Sequence, residues 1–461
     1  MSNSDEAMLA YLKDNLPRFR RELDEFLAIP SVSTESSRRP DVRRAAQWTA
    51  EALRGIGCTR VEMFETASAP LVYGEKSPPG KAAATVLVYG HYDVQPVDPL
   101  ELWHTDPFRP TVRGDEVFAR GASDMKGQIV AALKASEAVI RAGDVQPALK
   151  FLFEGEEEVG STHLPEFIRT HRDLLACDLC LNPDAGMIAP DLPTITYGLR
   201  GLAYFELRLR GPARDLHSGM YGGVVHNPAQ VLCELTAAMH DGSGRVTLPG
   251  FYDAVRPLDP EERRELARLP MDADFYLKAS GAPALWDGER GYTPNERVGA
   301  RPTLEVNGLS SGFTGEGSKT VLPAEAMAKV STRLVPDQTP EQVTTQLEAF
   351  LKERAPPTVH WELKRLAGAP PSISARESPG VRALSRALEQ VWGKRPVFRR
   401  EGGSIPVVAY LQEQLGVESL LTGFSLPDDN AHSPNEKLHL PTWERGISAL
   451  ALFLSHLASG R

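Results

Sequence analysis

Residues 83–93 read AATVLVYGHYD, a largely apolar run rich in residues that favour β-strands, with a glycine, a histidine and an aspartate near its end. An uninterrupted apolar run of this length is typical of a central strand buried on both faces of a sheet. Similar runs occur at 148–153 and 177–182, and each is followed by acidic residues. Helical patterns separate or precede these runs, at 5–28, 40–55, 125–142 and 162–175. The alternation predicts an α/β fold with a mostly parallel central sheet and flanking helices.

The middle of the chain has a different pattern. Residues 203–210 alternate apolar and polar side chains, as a half-exposed antiparallel strand does, and so do 303–307 and 327–335. Helical patterns are found at 227–240, 260–278 and 339–354. We therefore predict an inserted α+β domain, distinct from the domain that contains the parallel sheet.

The change of pattern predicts domain boundaries. The first part of the sheet domain is assigned to 1–199, the inserted domain to 200–370 and the rest of the sheet domain to 371–461. Residues 367–371, rich in glycine and proline, are the predicted exit hinge. Beyond it the sheet domain resumes with predicted elements, namely a helix from 378, a strand near 418–423 and a helix at 441–458.

Composition restricts the possible partners. The chain has 461 residues, and 51 Lys and Arg against 61 Asp and Glu give a net charge of −10. An acidic protein of this kind is not expected to bind nucleic acid. The four cysteines are scattered, the N-terminal segment lacks the apolar stretch of a signal peptide, and no apolar run reaches the ~18 residues of a membrane span. We expect a cytoplasmic protein with no membrane partner.

Four short segments place imidazoles or carboxylates just after apolar runs or glycine turns, at 89–93, 121–127, 154–161 and 431–433. Imidazole and carboxylate together suit Zn²⁺, Mn²⁺ or Co²⁺. A site of this composition activates water near neutral pH and stabilises a developing oxyanion. The sequence therefore predicts a metal-dependent hydrolase.

Individual roles follow from the residue types. A carboxylate bridges two ions readily, and Asp124 lies in a glycine-flanked loop that can turn both of its oxygens inward. His91 is assigned to one ion and His432 to the other, with Asp93 holding the second nitrogen of His91. Within the acidic run 156–158, one glutamate is expected to bind metal while its neighbour accepts a proton from water.

Together these segments resemble the co-catalytic di-metal peptidase family of glutamate carboxypeptidase, aminoacylase, succinyl-diaminopimelate desuccinylase and the carnosine and cytosolic non-specific dipeptidases. The resemblance covers nearly the whole chain and is strongest to the dipeptidase branch. No single motif is specific, but their ordered set is. The motifs lie at 89–96, 197–201, 215–223, 333–336, 400–406 and 431–436.

The resemblance implies two divalent metal ions per subunit, with Zn²⁺ expected and Mn²⁺ or Co²⁺ as alternatives. The implied ligands are His91, Asp124, Glu158, Asp184 and His432. Asp124 would bridge the ions and be followed by a cis peptide bond, and Glu157 would be the general base. Asp184 lies in Asn-Pro-Asp rather than the usual Ser-Asp, so Asp178 stays open as an alternative ligand.

The resemblance also implies a phosphorylase/hydrolase-like catalytic domain and an inserted domain that acts as a lid and forms a homodimer. His217 matches a lid histidine that reaches the substrate carbonyl in the partner subunit. Arg333 matches the residue that binds the substrate's C-terminal carboxylate, and Glu401 is a candidate partner for a free amino group. The other predicted substrate contacts are His226, Thr320, Gly403 and Ser404.

Two activities fit these residues. One is hydrolysis of dipeptides or short peptides by metal-activated water, with Glu157 as general base. The other is deacylation of N-acyl amino acids at the same site, which metal chemistry alone does not distinguish from the first. The dipeptidase motifs favour peptides. A non-catalytic relative would lack a ligand or the base, and here every one of these residues is present.

Overall fold

The computed structural model describes residues 2–78, 80, 82–143 and 145–460. The chain divides into two compact units. Unit 1 comprises Met1–Tyr197, Ser374–Arg399 and Val407–Arg461, and unit 2 comprises Gly198–Ile373 and Arg400–Pro406. Among the described helices, none combines the length and the apolar character needed to cross a membrane.

The strands, in chain order, are β1 (Arg60–Phe64), β2 (Leu71–Lys76), β3 (Thr85–His91), β4 (Thr111–Arg113), β5 (Glu116–Phe118), β6 (Ala148–Glu154), β7 (Leu179–Asn182), β8 (Thr194–Leu199), β9 (Gly201–Arg210), β10 (Leu216–His217), β11 (Thr303–Ser311), β12 (Val321–Leu322), β13 (Glu325–Leu334), β14 (His360–Ala369), β15 (Ser372–Ile373), β16 (Val397–Glu401), β17 (Glu418–Leu421) and β18 (Lys437–His439).

The α-helices are α1 (Asn3–Leu27), α2 (Arg39–Ile56), α3 (Lys126–Ala142), α4 (Leu164–Thr170), α5 (Arg172–Leu175), α6 (Ser218–Tyr221), α7 (Pro228–Ala238), α8 (Pro260–Ala267), α9 (Ala273–Ser280), α10 (Pro294–Gly299), α11 (Pro340–Arg354), α12 (Pro379–Trp392), α13 (Pro406–Leu415) and α14 (Leu440–Ser459). Short 3-10 helices lie at Ser36–Arg38, Leu100–Leu102 and Glu157–Val159.

The central sheet of unit 1 has the strand order β1-β2-β6-β3-β7-β17-β8. The four middle strands β6, β3, β7 and β17 are parallel, whereas β1, β2 and β8 pair antiparallel. The predicted α/β class is confirmed, and the sheet is mixed, with its parallel pairing in the centre. The connection 65–70 between β1 and β2 explains the antiparallel edge, because it is too short for a helical crossover.

Close packing of α3 on the central sheet depends on a glycine. Gly90 lies near the end of β3, and a Cβ there would approach Ile129 Cγ1 to 2.8 Å. Without that Cβ the strand accepts α3, which is buried along most of its length and packs also on α1 and α14. α3 begins directly after the Asp124–Met125 peptide bond, which is cis, as the resemblance implied.

Two predicted helices are each divided. The pattern at 162–175 forms α4 and α5, separated at His171. The pattern at 260–278 forms α8 and α9, because Pro270 cannot continue a helix and the Asp272 side chain starts a new one by accepting from the backbone N–H of Phe275. Side-chain periodicity alone does not reveal such breaks.

The predicted exit hinge at 367–371 is wrong for its first three residues. Ala367, Gly368 and Ala369 continue β14 and pair with β9. A ladder of backbone hydrogen bonds here outweighs the local preference of glycine for turns. Only the two prolines that follow separate β14 from β15.

Unit 2 is built on the antiparallel sheet β11-β13-β9-β14. Every second residue of β9 is buried, as its alternating sequence predicts. α7 and α11 pack on this sheet and close a separate apolar core. A small sheet of β10 and β12 lies elsewhere in the unit. The inserted segment is therefore an α+β fold.

A pair of helical glycines tests the packing of unit 1. Gly446 of α14 is buried, and an added Cβ would approach the Phe424 ring to 2.3 Å, whereas Gly55 of α2 has nothing within 4 Å. We expect Gly446→Ala to lower the free energy of unfolding by about 1–3 kcal/mol through overpacking. Gly55→Ala should raise it by up to about 1 kcal/mol through helix propensity. Urea unfolding followed by circular dichroism measures both, and equal effects would contradict the packing of α14.

Candidate metal centre

The predicted ligands meet at one edge of the central sheet because the middle strands are parallel. His91 is the last residue of β3, and Glu157 and Glu158 follow β6 in a 3-10 turn. Asp184 lies two residues after β7, and the loop after β17 carries His432. The carboxyl ends of parallel strands are where α/β sheets form their sites.

Two groups of side chains in this edge share one carboxylate. The first group is His91, Asp124 and Asp184, and the second is Asp124, Glu158 and His432. Within each group the possible ligand atoms lie within 4.8 Å of one another. His91 Nε2 is 3.1 Å from Asp124 Oδ1 and 3.9 Å from Asp184 Oδ2. His432 Nε2 is 2.8 Å from Asp124 Oδ2 and 3.3 Å from Glu158 Oε2. The two oxygens of Asp124 therefore face different imidazoles, as a bridging carboxylate requires.

The electrostatics of the cluster fit a pair of cations. Burial, with the nearby charges of Asp124, Glu157 and Glu158, raises the pKa of Asp184 well above its usual value. Burial also raises the pKa of Glu157 to about 7, with Glu158 adding to the shift and His91 opposing it. Crowded carboxylates of this kind are costly unless positive charge offsets them. Nitrogen and oxygen donors in this mixture suit Zn²⁺, Mn²⁺ or Co²⁺.

Asp93 connects the two sides of the centre. Its carbonyl oxygen is 3.1 Å and its Oδ1 3.4 Å from His91 Nδ1, which leaves Nε2 of that ring directed at Asp124. Its carboxylate also accepts from the backbone N–H groups of Glu157 (3.3 Å) and Glu158 (3.2 Å). Asp93 thus orients one imidazole and the turn that carries both glutamates.

The three glutamates of the acidic run differ in surroundings. Glu156 is buried away from the ligand groups, with both carboxylate oxygens 2.9 Å from His163 Nδ1. Glu158 accepts from Gln95 Nε2 at 2.7 Å. Gln95 belongs to the motif at 89–96, but the sequence predicted no role for it. Only the tertiary structure brings it to Glu158.

Glu436 is a second residue whose role the sequence did not reveal. It is fully buried, and its Oε1 accepts from the backbone N–H groups of Ser123 (2.9 Å) and Asp124 (3.0 Å). Its Oε2 accepts from the Gly121 N–H (2.9 Å) and from Arg120 Nη1 (2.8 Å). Four charge-assisted bonds therefore fix the loop that presents Asp124. The position of Glu436, four residues after His432, was its only sequence signal.

The alternative ligand Asp178 lies elsewhere. Its Oδ2 accepts from the backbone N–H of Thr85, at the opposite end of the strands from His91. The structure brings Asp184, and not Asp178, to the ligand group.

The predicted substrate contacts lie in unit 2, in more than one place. His217 and Thr320 are neighbours at the small sheet, where the Ser218 N–H donates to the Thr320 carbonyl. His217 Nδ1 accepts from the Gly219 N–H and is exposed. His226 Nδ1 instead lies 2.8 Å from Thr358 Oγ1.

A second set surrounds residues 401–404. Arg333 Nη1 donates to Ser404 Oγ at 3.0 Å, and Ser404 Oγ donates to the Arg200 carbonyl at 2.5 Å. Arg200 Nε donates to the Gly402 carbonyl at 3.2 Å, and its backbone N–H to the Glu401 carbonyl at 3.3 Å. Gly403 lies within this segment. Arg200 belongs to the motif at 197–201, and the sequence predicted no role for it.

One carboxylate shared by two imidazole–carboxylate groups, at the carboxyl edge of an α/β sheet, is the arrangement of a dinuclear metallohydrolase. The model of Peptidase family M20/M25/M40 matches residues 87–456. The chain belongs to this family and is a peptidase, as the ordered motifs predicted.

Two relatives align over almost the full length. The chain is 32% identical to the Cys-Gly metallodipeptidase DUG1 of Candida albicans, over 95% of this chain and 94% of that protein. It is 30% identical to the Beta-Ala-His dipeptidase of Homo sapiens, over 98% and 92% respectively. The family predicted from the sequence is thereby confirmed.

Solved structures agree in fold. The di-peptidase Dug1p of Saccharomyces cerevisiae has a TM-score of 0.81 at 28% identity, covering 100% of this chain and 99% of that one. The M20 metallo-carboxypeptidase Sso-CP2 of Sulfolobus solfataricus has a TM-score of 0.84 at 32% identity, covering 96% and 99%. The predicted architecture is thus found in proteins of the same family.

The clamp on the Asp124 loop predicts the effect of Glu436→Gln. Its amide nitrogen would face backbone N–H donors, so the loop should shift and metal affinity should fall by about 10- to 100-fold. Competition with a chromogenic chelator measures this affinity. Glu137→Gln is the matched control, because Glu137 is also buried and bound by Arg18 and Lys134 but lies far along α3. Unchanged affinity in Glu436→Gln would contradict the clamp.

Proposed function

We propose that this chain is a metal-dependent dipeptidase that uses two divalent metal ions, with Zn²⁺ as the expected ion. The observation that carries the proposal is the Asp124 carboxylate, whose two oxygens face separate groups of ligands. Relatives named as a Cys-Gly metallodipeptidase and a Beta-Ala-His dipeptidase support the substrate class. The ligands would be His91 and Asp184 for one ion and Glu158 and His432 for the other.

Two divalent ions bound there would lower the pKa of a coordinated water and stabilise negative charge on the scissile carbonyl oxygen. Glu157, next to a ligand and with its backbone anchored by Asp93, is the proposed general base. It would take a proton from the attacking water and deliver it to the leaving amine. Asp93 would position His91, Gln95 would position Glu158, and Glu436 would position the loop of Asp124.

The proposed substrate contacts come from unit 2. Arg333, with Ser404 and the backbone of Gly403, would bind the C-terminal carboxylate. His217 of the partner lid would donate to the carbonyl oxygen as negative charge develops. Glu401 would receive the free amino group, and His226 and Thr320 would complete the site.

The proposal extends to the domain organisation and the oligomeric state of the chain. Residues 1–199 and 371–461 would form the catalytic domain, and 200–370 the lid and dimerisation domain of a homodimer. A cytoplasmic location remains a prediction from the sequence.

A substrate panel with matched variants tests the reaction. Metal-stripped protein should be inactive on free dipeptides and should recover with Zn²⁺, Mn²⁺ or Co²⁺. Glu157→Gln should lose about 10²- to 10⁴-fold in kcat. Glu156→Gln is the control, because Glu156 contacts His163 and the Ala69 N–H instead of the ligand groups. The readout is amine release measured by chromatography.

Cleavage of N-acetyl amino acids alone would reassign the chain to the deacylases. No metal-dependent cleavage of either class would contradict the proposal.

Complementation tests the role of the partner lid. Glu157→Gln and His217→Ala should each be nearly inactive as homodimers. A hybrid dimer, purified through two different tags, would contain one site with its own Glu157 and an intact His217 from the partner. It should recover about half of the wild-type activity, since one of its two sites is whole. A hybrid as inactive as its parents would show that His217 does not act across a dimer.

A further inference from the structure

Unit 2 contains a cavity of about 420 Å³. Its walls come from β11 and β13, from residues 240–246, from the residues around α9 and α10, and from the segment that precedes β9. Its volume is in the range of small-ligand sites, roughly 300–1,000 Å³. Arg333, the proposed partner of the substrate's C-terminal carboxylate, is one of its lining residues.

One wall of the cavity carries two guanidinium groups without carboxylate partners. Arg200 bonds to the Gly402 carbonyl and, at 3.4 Å, to the Thr303 hydroxyl, and Arg333 bonds to the Ser404 hydroxyl. Neither forms an ion pair with any described residue. Burial, together with the neighbouring charge of Arg333, lowers the pKa of Arg200 to about 10. Two neighbouring guanidinium groups favour an anion between them, and the planar fork of arginine matches a carboxylate.

The other two arginines of the cavity have different partners. Arg301 donates to both oxygens of Glu289, at 2.7 Å each. Arg297 donates to the carbonyls of Trp286 and Asp287. Only Arg301 is thus neutralised by a carboxylate. Arg200 and Arg333 differ from Arg297 in being joined through Ser404, which accepts from Arg333 and donates to the Arg200 carbonyl, and they form the paired positive charge that remains for a ligand. The exposed Glu305 also lines the cavity and partly offsets it.

A second wall is aromatic. The Trp286 side chain is 62% exposed although it borders the cavity, and the His240 ring stands edge-on to it with centroids 5.7 Å apart. Tyr276 lines the same space. An exposed indole beside a cavity gains free energy when an apolar group covers it. The hydrogen bond from Arg297 to its carbonyl holds Trp286 at this wall.

We propose that this cavity selects the C-terminal residue of the peptide substrate, with its carboxylate on Arg200 and Arg333 and a large aromatic or apolar side chain against Trp286. The inference rests on the proposed dipeptidase function for its biological meaning. Peptides that end in a bulky apolar residue are then preferred over those that end in glycine. Arg200 and Trp286 become specificity residues in addition to Arg333.

Calorimetric titration of the metal-free full chain tests the cavity without catalysis. The probes are N-acetyl-L-phenylalanine and N-acetylglycine, which present the C-terminal residue with its amide nitrogen. The first should bind about tenfold more tightly, because one further aromatic ring is buried. Trp286→Ala should remove this preference. Arg200→Gln should lower the affinity for both probes about tenfold, and Arg200→Lys should recover part of this lost affinity.

Leu366→Ala is the control, since Leu366 is also an exposed apolar side chain of unit 2 but lies outside the cavity. Equal affinity for the two probes, or an unchanged preference in Trp286→Ala, would overturn the inference.

A kinetic arm separates the inference from the proposed function. With metal restored, Trp286→Ala should raise KM for Ala-Phe about tenfold more than for Ala-Gly. Equal changes in the two KM values would overturn the inference while dipeptide cleavage still supported the proposed function. Absence of metal-dependent cleavage would instead overturn the proposed function, and the calorimetric result would still decide the cavity.

Discussion

The structure of unit 1 depends on one constraint, the placement of several carboxylates where they repel one another. Asp124, Asp184, Glu157 and Glu158 converge at the carboxyl edge of the sheet, and burial with mutual repulsion raises the pKa of Asp184 and Glu157. Such a cluster persists only if its backbone is held firmly and positive charge can enter. The surrounding loops hold the backbone in place. The imidazole nitrogens and carboxylate oxygens are arranged so that they could bind cations.

The supports of this cluster are themselves buried carboxylates. The Asp93 carboxylate accepts hydrogen bonds from two backbone N–H groups of the turn that carries Glu157 and Glu158. The Glu436 carboxylate accepts hydrogen bonds from three backbone N–H groups of the Asp124 loop. Because each is fully satisfied, each fixes a segment of chain at low cost. His432 and Glu436 lie in one loop, so the segment that carries a candidate ligand also anchors the loop of Asp124. Metal affinity and loop geometry are therefore linked in one short stretch of sequence.

Unit 2 shows a complementary principle. Its sheet is a half-buried antiparallel structure, and the proposed carboxylate site lies where arginines lack a carboxylate partner. Arg301 is satisfied by Glu289, whereas Arg200 and Arg333 have only carbonyl and hydroxyl partners. This difference distinguishes a structural arginine from one available to a ligand.

Much of the protein could be predicted from local pattern. The apolar run before His91 identified a buried strand, and alternation in 203–210 identified a half-exposed one. These predictions succeeded because side-chain period reports burial directly. Prediction failed where tertiary contacts overrode local preference, as at Gly368, which continues a strand, or where a break left the period intact, as at Pro270.

The sequence by itself determined the family, the α/β architecture and the identity of the candidate ligands, because these depend on residue types in a fixed order. Only the tertiary structure decided which groups meet. It turned Glu156 toward His163, brought Asp184 rather than Asp178 to His91, and placed Glu436 beneath Asp124. These outcomes depend on contacts between residues far apart in the chain, and spacing along a sequence does not encode such distances.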